Sequence, residues 1–153
     1  ALEGLAAIRA AMGRATAVVV GPGLGAERET LVLAAEVAKL AAVPLVIDAD
    51  ALRPEIVAAG VGPRVLTPHA GEWARIAGAV PAGAVVVRKG PVTRVEVAGD
   101  AGEGAGRVYH SFFGGPVLAR GGSGDVLAGL IGAVLASAPG DVFGAAARGV
   151  AWH

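Results

Sequence analysis

Thr16-Ala17-Val18-Val19-Val20-Gly21-Pro22-Gly23-Leu24-Gly25 is a short β-branched run that ends abruptly in a glycine loop. Valine is stiff at χ1 and suits a pleated strand, whereas glycine opens turn conformations closed to other residues. Over residues 27–42 apolar side chains return at helical spacing (Leu31, Leu33, Ala34, Val37, Leu40, Ala41), with Pro44 beyond them. Leu45-Val46-Ile47 follows as a second apolar strand, ending on Asp48-Ala49-Asp50. Strand, glycine loop, helix, strand is the unit from which parallel sheets are built.

The alternation continues in both directions. Residues 2–14 read as an amphipathic helix. Residues 54–59 read as a short helix, and Arg64-Val65-Leu66 as a third strand ending at Thr67-Pro68-His69-Ala70-Gly71-Glu72. A helix through Trp73 and Ile76 leads to a fourth strand over 84–87, which ends at Arg88-Lys89-Gly90. Residues 92–97 and 107–112 predict two more strands around a glycine-rich loop, 98–106. Helices over 125–137 and from Asp141 onward close the chain. The expected fold is α/β: one domain over 1–153, with a mostly parallel central sheet and helices on both faces. In such sheets ligands bind beyond the carboxyl ends of the strands. The polar and glycine-rich clusters all follow strands, so they should converge on one edge.

Composition narrows the classes. Hydrophobic residues make up 54% of the 153, which excludes disorder, and only 17% are charged. Thirteen basic residues balance thirteen acidic ones, so no net field favours nucleic acid or an anionic membrane. There is no cysteine, hence no disulfide framework and no thiolate zinc site, which suits a cytoplasmic location. The longest apolar run, 126–138, is shorter than the ~20 residues that span a bilayer and reads as a buried helix. Low charge and apolar surface lead us to expect a homo-oligomer.

The clusters carry the chemistry. Gly121-Gly122-Ser123-Gly124-Asp125 runs into a helix, so its amides and the helix dipole form a cradle for an anion such as phosphate. A carboxylate beside a phosphate cradle is explained as a base for whatever attacks that phosphate, with a dipole-favoured first-turn residue as the alternative. Gly21 to Ala26 fits a dinucleotide fingerprint, with Asp48 ending the next strand, or else a plain strand-to-helix turn. Asp48 and Asp50 are candidates for a cation or a helix cap, with capping favoured for Asp50. Glu72 suits a hard cation such as magnesium or, equally simply, a helix start; His69, His110 and His153 lack zinc spacing. Lys89-Gly90-Pro91-Val92-Thr93 sets an ammonium and a hydroxyl at a strand end, where a nucleotide phosphate fits; no Walker A pattern occurs.

Taken in order, Gly-Pro-Gly-Leu-Gly, Asp-Ala-Asp-Ala-Leu, Thr-Pro-His-Ala-Gly-Glu, Lys-Gly-Pro-Val-Thr and Gly-Gly-Ser-Gly-Asp-Val-Leu-Ala-Gly resemble the ADP/ATP-dependent NAD(P)H-hydrate dehydratases of the ribokinase-like superfamily. The resemblance covers residues 16–153. It implies nicotinamide nucleotide repair by a hydro-lyase: the ring hydroxyl of hydrated NADH or NADPH is phosphorylated at the expense of ADP or ATP with Mg2+, and phosphate is then eliminated. It assigns Asp125 as the base, Gly122, Ser123 and Gly124 as the anion hole, and Gly23, His69 and Asp125 as substrate contacts. Lys89, Gly90, Pro91, Val92, Thr93 and Gly124 become nucleotide contacts, and Glu72 a water-mediated magnesium contact.

The chain departs from the family pattern at Ala70, Arg53, Gly115, Val117 and Arg120. The family's opening strands and helices have no counterpart, so a longer source protein is expected, with a fused epimerase domain as one form of it. The alternatives are a vitamin-precursor or sugar kinase of the same superfamily and a non-catalytic nucleotide-binding module.

Overall fold

The computed structural model describes residues 2–99 and 106–153. Among these, α1 (Leu2–Met12) precedes β1 (Val18–Val20), α2 (Arg28–Leu40) and β2 (Leu45–Ile47). A 3-10 turn (Ala49–Ala51) and α3 (Pro54–Val57) connect to β3 (Arg64–Leu66), and α4 (Ala70–Ile76) leads to β4 (Val85–Arg88). β5 (Thr93–Val97) and β6 (Val108–Ser111) form a meander, followed by α5 (Ser123–Ser137) and α6 (Val142–Trp152). These elements sit where the periodicity places them. The expected loop over 98–106 lies largely outside the described residues.

The six strands lie side by side in chain order. β1 to β4 are parallel, with Val19 opposite Val46 and Val46 opposite Val65; β5 and β6 run antiparallel to their neighbours. A sheet that grows in one direction through crossovers of one hand must set all its crossover helices on one face. Leu45, Ile47, Leu66 and Val86 accordingly pack with Ala34 and Ala38 of α2, Ile56 of α3 and Ile76 of α4. Side chains alternate across a strand, so Val46, Val65, Val85, Val87 and Val95 face the other way. There they meet Leu127, Ile131 and Leu135 of α5 and Ala145, Ala146 and Val150 of α6. Helices thus cover both faces, as the sequence implies.

α5 is less completely buried than its hydropathy suggests. Val126 is exposed, as are Gly129 and Ala133, so one stripe of the helix faces outward. No helix among the described residues is long and apolar enough to cross a membrane. Among the described residues Arg64 is the one buried arginine; its Nε and Nη1 donate to the carbonyls of Gly62, Val57 and Ala59 and close the turn after α3.

Candidate functional site

Three strand ends and one helix start meet at the carboxyl edge of the sheet. Just beyond β2 comes Asp48, 1% exposed, and just beyond β3 comes Thr67, fully buried. Beyond β4 comes Lys89. The Thr67 hydroxyl donates to Asp48 Oδ1 at 2.6 Å, and the Lys89 ammonium donates to the same oxygen at 2.9 Å. A buried carboxylate without a partner is destabilising by several kcal/mol, and a hydrogen-bonded cation offsets most of that. Lys89 Nζ also comes within 3.9 Å of Glu72 Oε2.

The approach to this point is shaped by backbone geometry. Ala49 has φ of 49°, the left-handed region that a side chain enters at a cost of about 1–2 kcal/mol. Gly21, with φ of 126°, ends β1 directly against the Asp48 carbonyl, where any side chain would overlap it. Asp50 Oδ2 accepts the Gly25 amide at 3.0 Å and ties the glycine loop to the end of β2.

α5 brings positive potential to the same place. Gly122, at φ of 83°, turns the chain into the helix. A Cβ on Gly124 would stand 3.3 Å from Lys89 Nζ and 3.7 Å from Asp48 Oδ2. The ammonium therefore lies against the first helical turn, where unpaired amides and the dipole also favour an anion. Two independent positive sources converge on one spot.

A cavity of about 800 Å³ opens there, lined by His69, Lys89, Gly90, Pro91, Thr93, Ser123 and Gly124, with Phe113 and Arg120 at its rim. Its size suits a nucleotide-sized ligand. A smaller cleft of about 380 Å³ is lined by Trp73, Arg88, Val92, Arg94 and His110; it shares His69, Lys89 and Gly90 with the larger one. Gly23, Gly122, Glu72 and Asp125 line neither space. Asp125 is an exposed residue of the first turn of α5.

Two sequence readings are corrected. Asp50 caps no helix, since its carboxylate reaches back to Gly25. The dinucleotide fingerprint fails as such: Asp48 is buried beneath Lys89, and a sheet in chain order lacks the reversal that makes a Rossmann crevice. For Glu72, the helix-start reading holds in the geometry. Its Oε2 accepts the His69 amide at 2.8 Å, while His69 Nδ1 accepts the Gly71 and Glu72 amides at 3.0 and 3.2 Å, a reciprocal cap on α4. That leaves the proton of a neutral His69 ring on Nε2, which stands 3.5 Å from Glu72 Oε1.

Two participants escaped the sequence reading. Thr67 is buried support for Asp48, and His153 Nε2 lies 2.9 Å from Ser123 Oγ at the mouth of the helix. Neither partner is near in sequence, so spacing offered no signal for these pairs.

A family model described as NAD(P)H-hydrate dehydratase matches residues 3–153, almost the entire chain. The chain belongs to the NAD(P)H-hydrate dehydratase family. A bifunctional NAD(P)H-hydrate repair enzyme of Mycobacterium tuberculosis is 45% identical over 147 residues, covering 84% of this chain and 30% of the relative. An ADP-dependent (S)-NAD(P)H-hydrate dehydratase of Xanthomonas campestris is 40% identical, covering 85% of this chain and 49% of that one. The Bacillus subtilis ADP/ATP-dependent dehydratase, co-crystallised with ATP/Mg2+, superimposes with a TM-score of 0.70 at 29% identity, over 88% of this chain and 52% of its own. The chain spans less than a third of the bifunctional relatives and about half of the dehydratases it matches.

Proposed function

We propose that this chain carries the nucleotide-binding and phosphoryl-transfer part of an ADP/ATP-dependent NAD(P)H-hydrate dehydratase. One observation carries the proposal: Lys89 and the first turn of α5 present convergent positive charge at the floor of a nucleotide-sized cavity, in a chain of that family. In the proposed reaction Asp125 takes the proton of the ring hydroxyl as its oxygen attacks the terminal phosphorus and the nucleotide's terminal P–O bond breaks. Loss of phosphate with cleavage of the C–O bond, and of the neighbouring proton, restores the ring double bond. Ser123, Gly124 and Lys89 hold the transferred group, and His69, which lines the same cavity, contacts the substrate.

Among the described residues no group of three or more His, Asp or Glu could hold a metal directly. That donor set fits magnesium arriving on nucleotide phosphates with most of its waters kept, Glu72 serving through one of them. The ion would neutralise developing charge on the phosphoryl oxygens.

The same reading makes the protein a cytoplasmic, self-associating enzyme, and the bifunctional relatives support a companion repair domain in the whole protein. A second reading, a non-catalytic nucleotide-binding module, is favoured by one fact: Asp125 and Gly23 line neither cavity. Incubation with hydrated NADH, magnesium and ADP or ATP separates the two. Recovery of NADH absorbance supports the dehydratase, and nucleotide binding without recovery supports the module.

A further inference from the structure

We infer that Asp48 is the positioning residue that holds the Lys89 ammonium against the first turn of α5, so that the phosphoryl site exists only while this pair is intact. The inference rests on the nucleotide-dependent reading above. Lysine carries its charge on a long, freely rotating stem, and nothing in that stem fixes where the charge stands. Here the charge is placed by a carboxylate that is itself immobile: Asp48 is 1% exposed and braced by the Thr67 hydroxyl at 2.6 Å. Both donors reach Oδ1, while Oδ2 has no hydrogen-bond partner among the described residues and faces Gly124.

A negative charge beside an anion site weakens its attraction for phosphate, so the pair makes sense only if placement outweighs that loss. Lys89 keeps 23% of its side chain exposed and lines both cavities, and the missing Cβ of Gly124 leaves room beside its ammonium. Without Asp48 the nearest anion is Glu72, 3.9 Å away on α4, and the ammonium swings toward it. Asp48 lines neither cavity, so it acts through Lys89.

This chain has two lysines, which makes the test direct. Lys39, with a side chain 66% exposed on α2, serves as the internal standard. The protein is acylated with limiting acetic anhydride and each lysine followed by peptide mass spectrometry, with and without ADP and magnesium; turnover of hydrated NADH is measured in parallel. In the wild type, Lys89 reacts more slowly than Lys39, and ADP slows Lys89 alone. Asp48→Asn speeds Lys89 acylation by about tenfold or more, the scale of one lost charge-assisted hydrogen bond. It also lowers kcat by about 10- to 100-fold, the scale on which losing an outer partner acts at metal sites, and raises KM for ADP, which Lys89 contacts.

Thr67→Val, which removes only the brace, moves both readouts the same way by a smaller factor and decides the matter if Asp48→Asn does not fold. Unchanged Lys89 acylation in these variants overturns the inference. Faster acylation with kcat unchanged makes the pair structural and overturns it too. A wild type with neither ADP protection nor turnover instead overturns the dehydratase reading beneath it.

Discussion

Replacing Gly124 by alanine sets stability and function against each other, and the structure supplies the size of both effects. Gly124 is the second residue of α5 and lies outside the left-handed region, so alanine meets no backbone penalty. Helix propensity favours alanine over glycine by up to about 1 kcal/mol, which for a chain of this length raises Tm by roughly 2–4 °C. The new methyl stands 3.3 Å from Lys89 Nζ, inside the usual contact range of about 3.5–4.0 Å, so the ammonium must withdraw by a few tenths of an ångström. It has little freedom to do so, being held at 2.9 Å from a buried carboxylate. A misplacement of about 1 Å costs on the order of 100-fold in rate, so this smaller one is worth on the order of tenfold in turnover. Differential scanning fluorimetry and the NADH-hydrate assay, run on one preparation, read both numbers. Unaltered turnover, or a Tm lowered by more than about 5 °C, would refute the placement of Lys89 against α5.

Asp125→Asn should lower turnover by about 100-fold or more, the usual share of a general base, while titration calorimetry finds ADP affinity within about twofold. Its effect on Tm should stay within about 2 °C, because an exposed first-turn carboxylate adds only about 0.3–1 kcal/mol through the helix dipole. Gly21→Ala should abolish soluble expression or the cooperative melting transition, since its methyl would overlap the Asp48 backbone and no flexible group can yield. Arg64→Met strands the carbonyls of Gly62, Val57 and Ala59 and should lower Tm by roughly 10 °C. Burial lowers the Arg64 pKa, so the folded chain holds the proton less tightly than the unfolded one. Both forms stay charged from about pH 5 to pH 9, so that penalty is constant and the loss of Tm should match at the two ends of the range.

Much of the molecule is legible in its sequence because the governing interactions are local. Valine runs, glycine loops and helical spacing of apolar residues set β1, α2 and β2 at their observed positions, and repetition of that pattern implies a parallel sheet covered on both faces. The convergence of His69, Lys89 and Gly124 on one edge follows from the same alternation, since each lies just beyond the carboxyl end of a strand or at the following helix start.

Pairings across the sheet were beyond it. Lys89 and Asp48 are 41 positions apart, and Ser123 and His153 are 30 apart; no period or motif links either pair. Strand order decided them: with β2, β3 and β4 adjacent, Asp48, Thr67 and Lys89 must share one corner, and a carboxylate buried there takes the nearest cation. Burial likewise removed Asp48 from the nucleotide-binding role that a glycine-rich fingerprint suggests. The types of residue and the edge on which they gather are thus local information. Which oxygen meets which ammonium is settled only when the strands lie side by side.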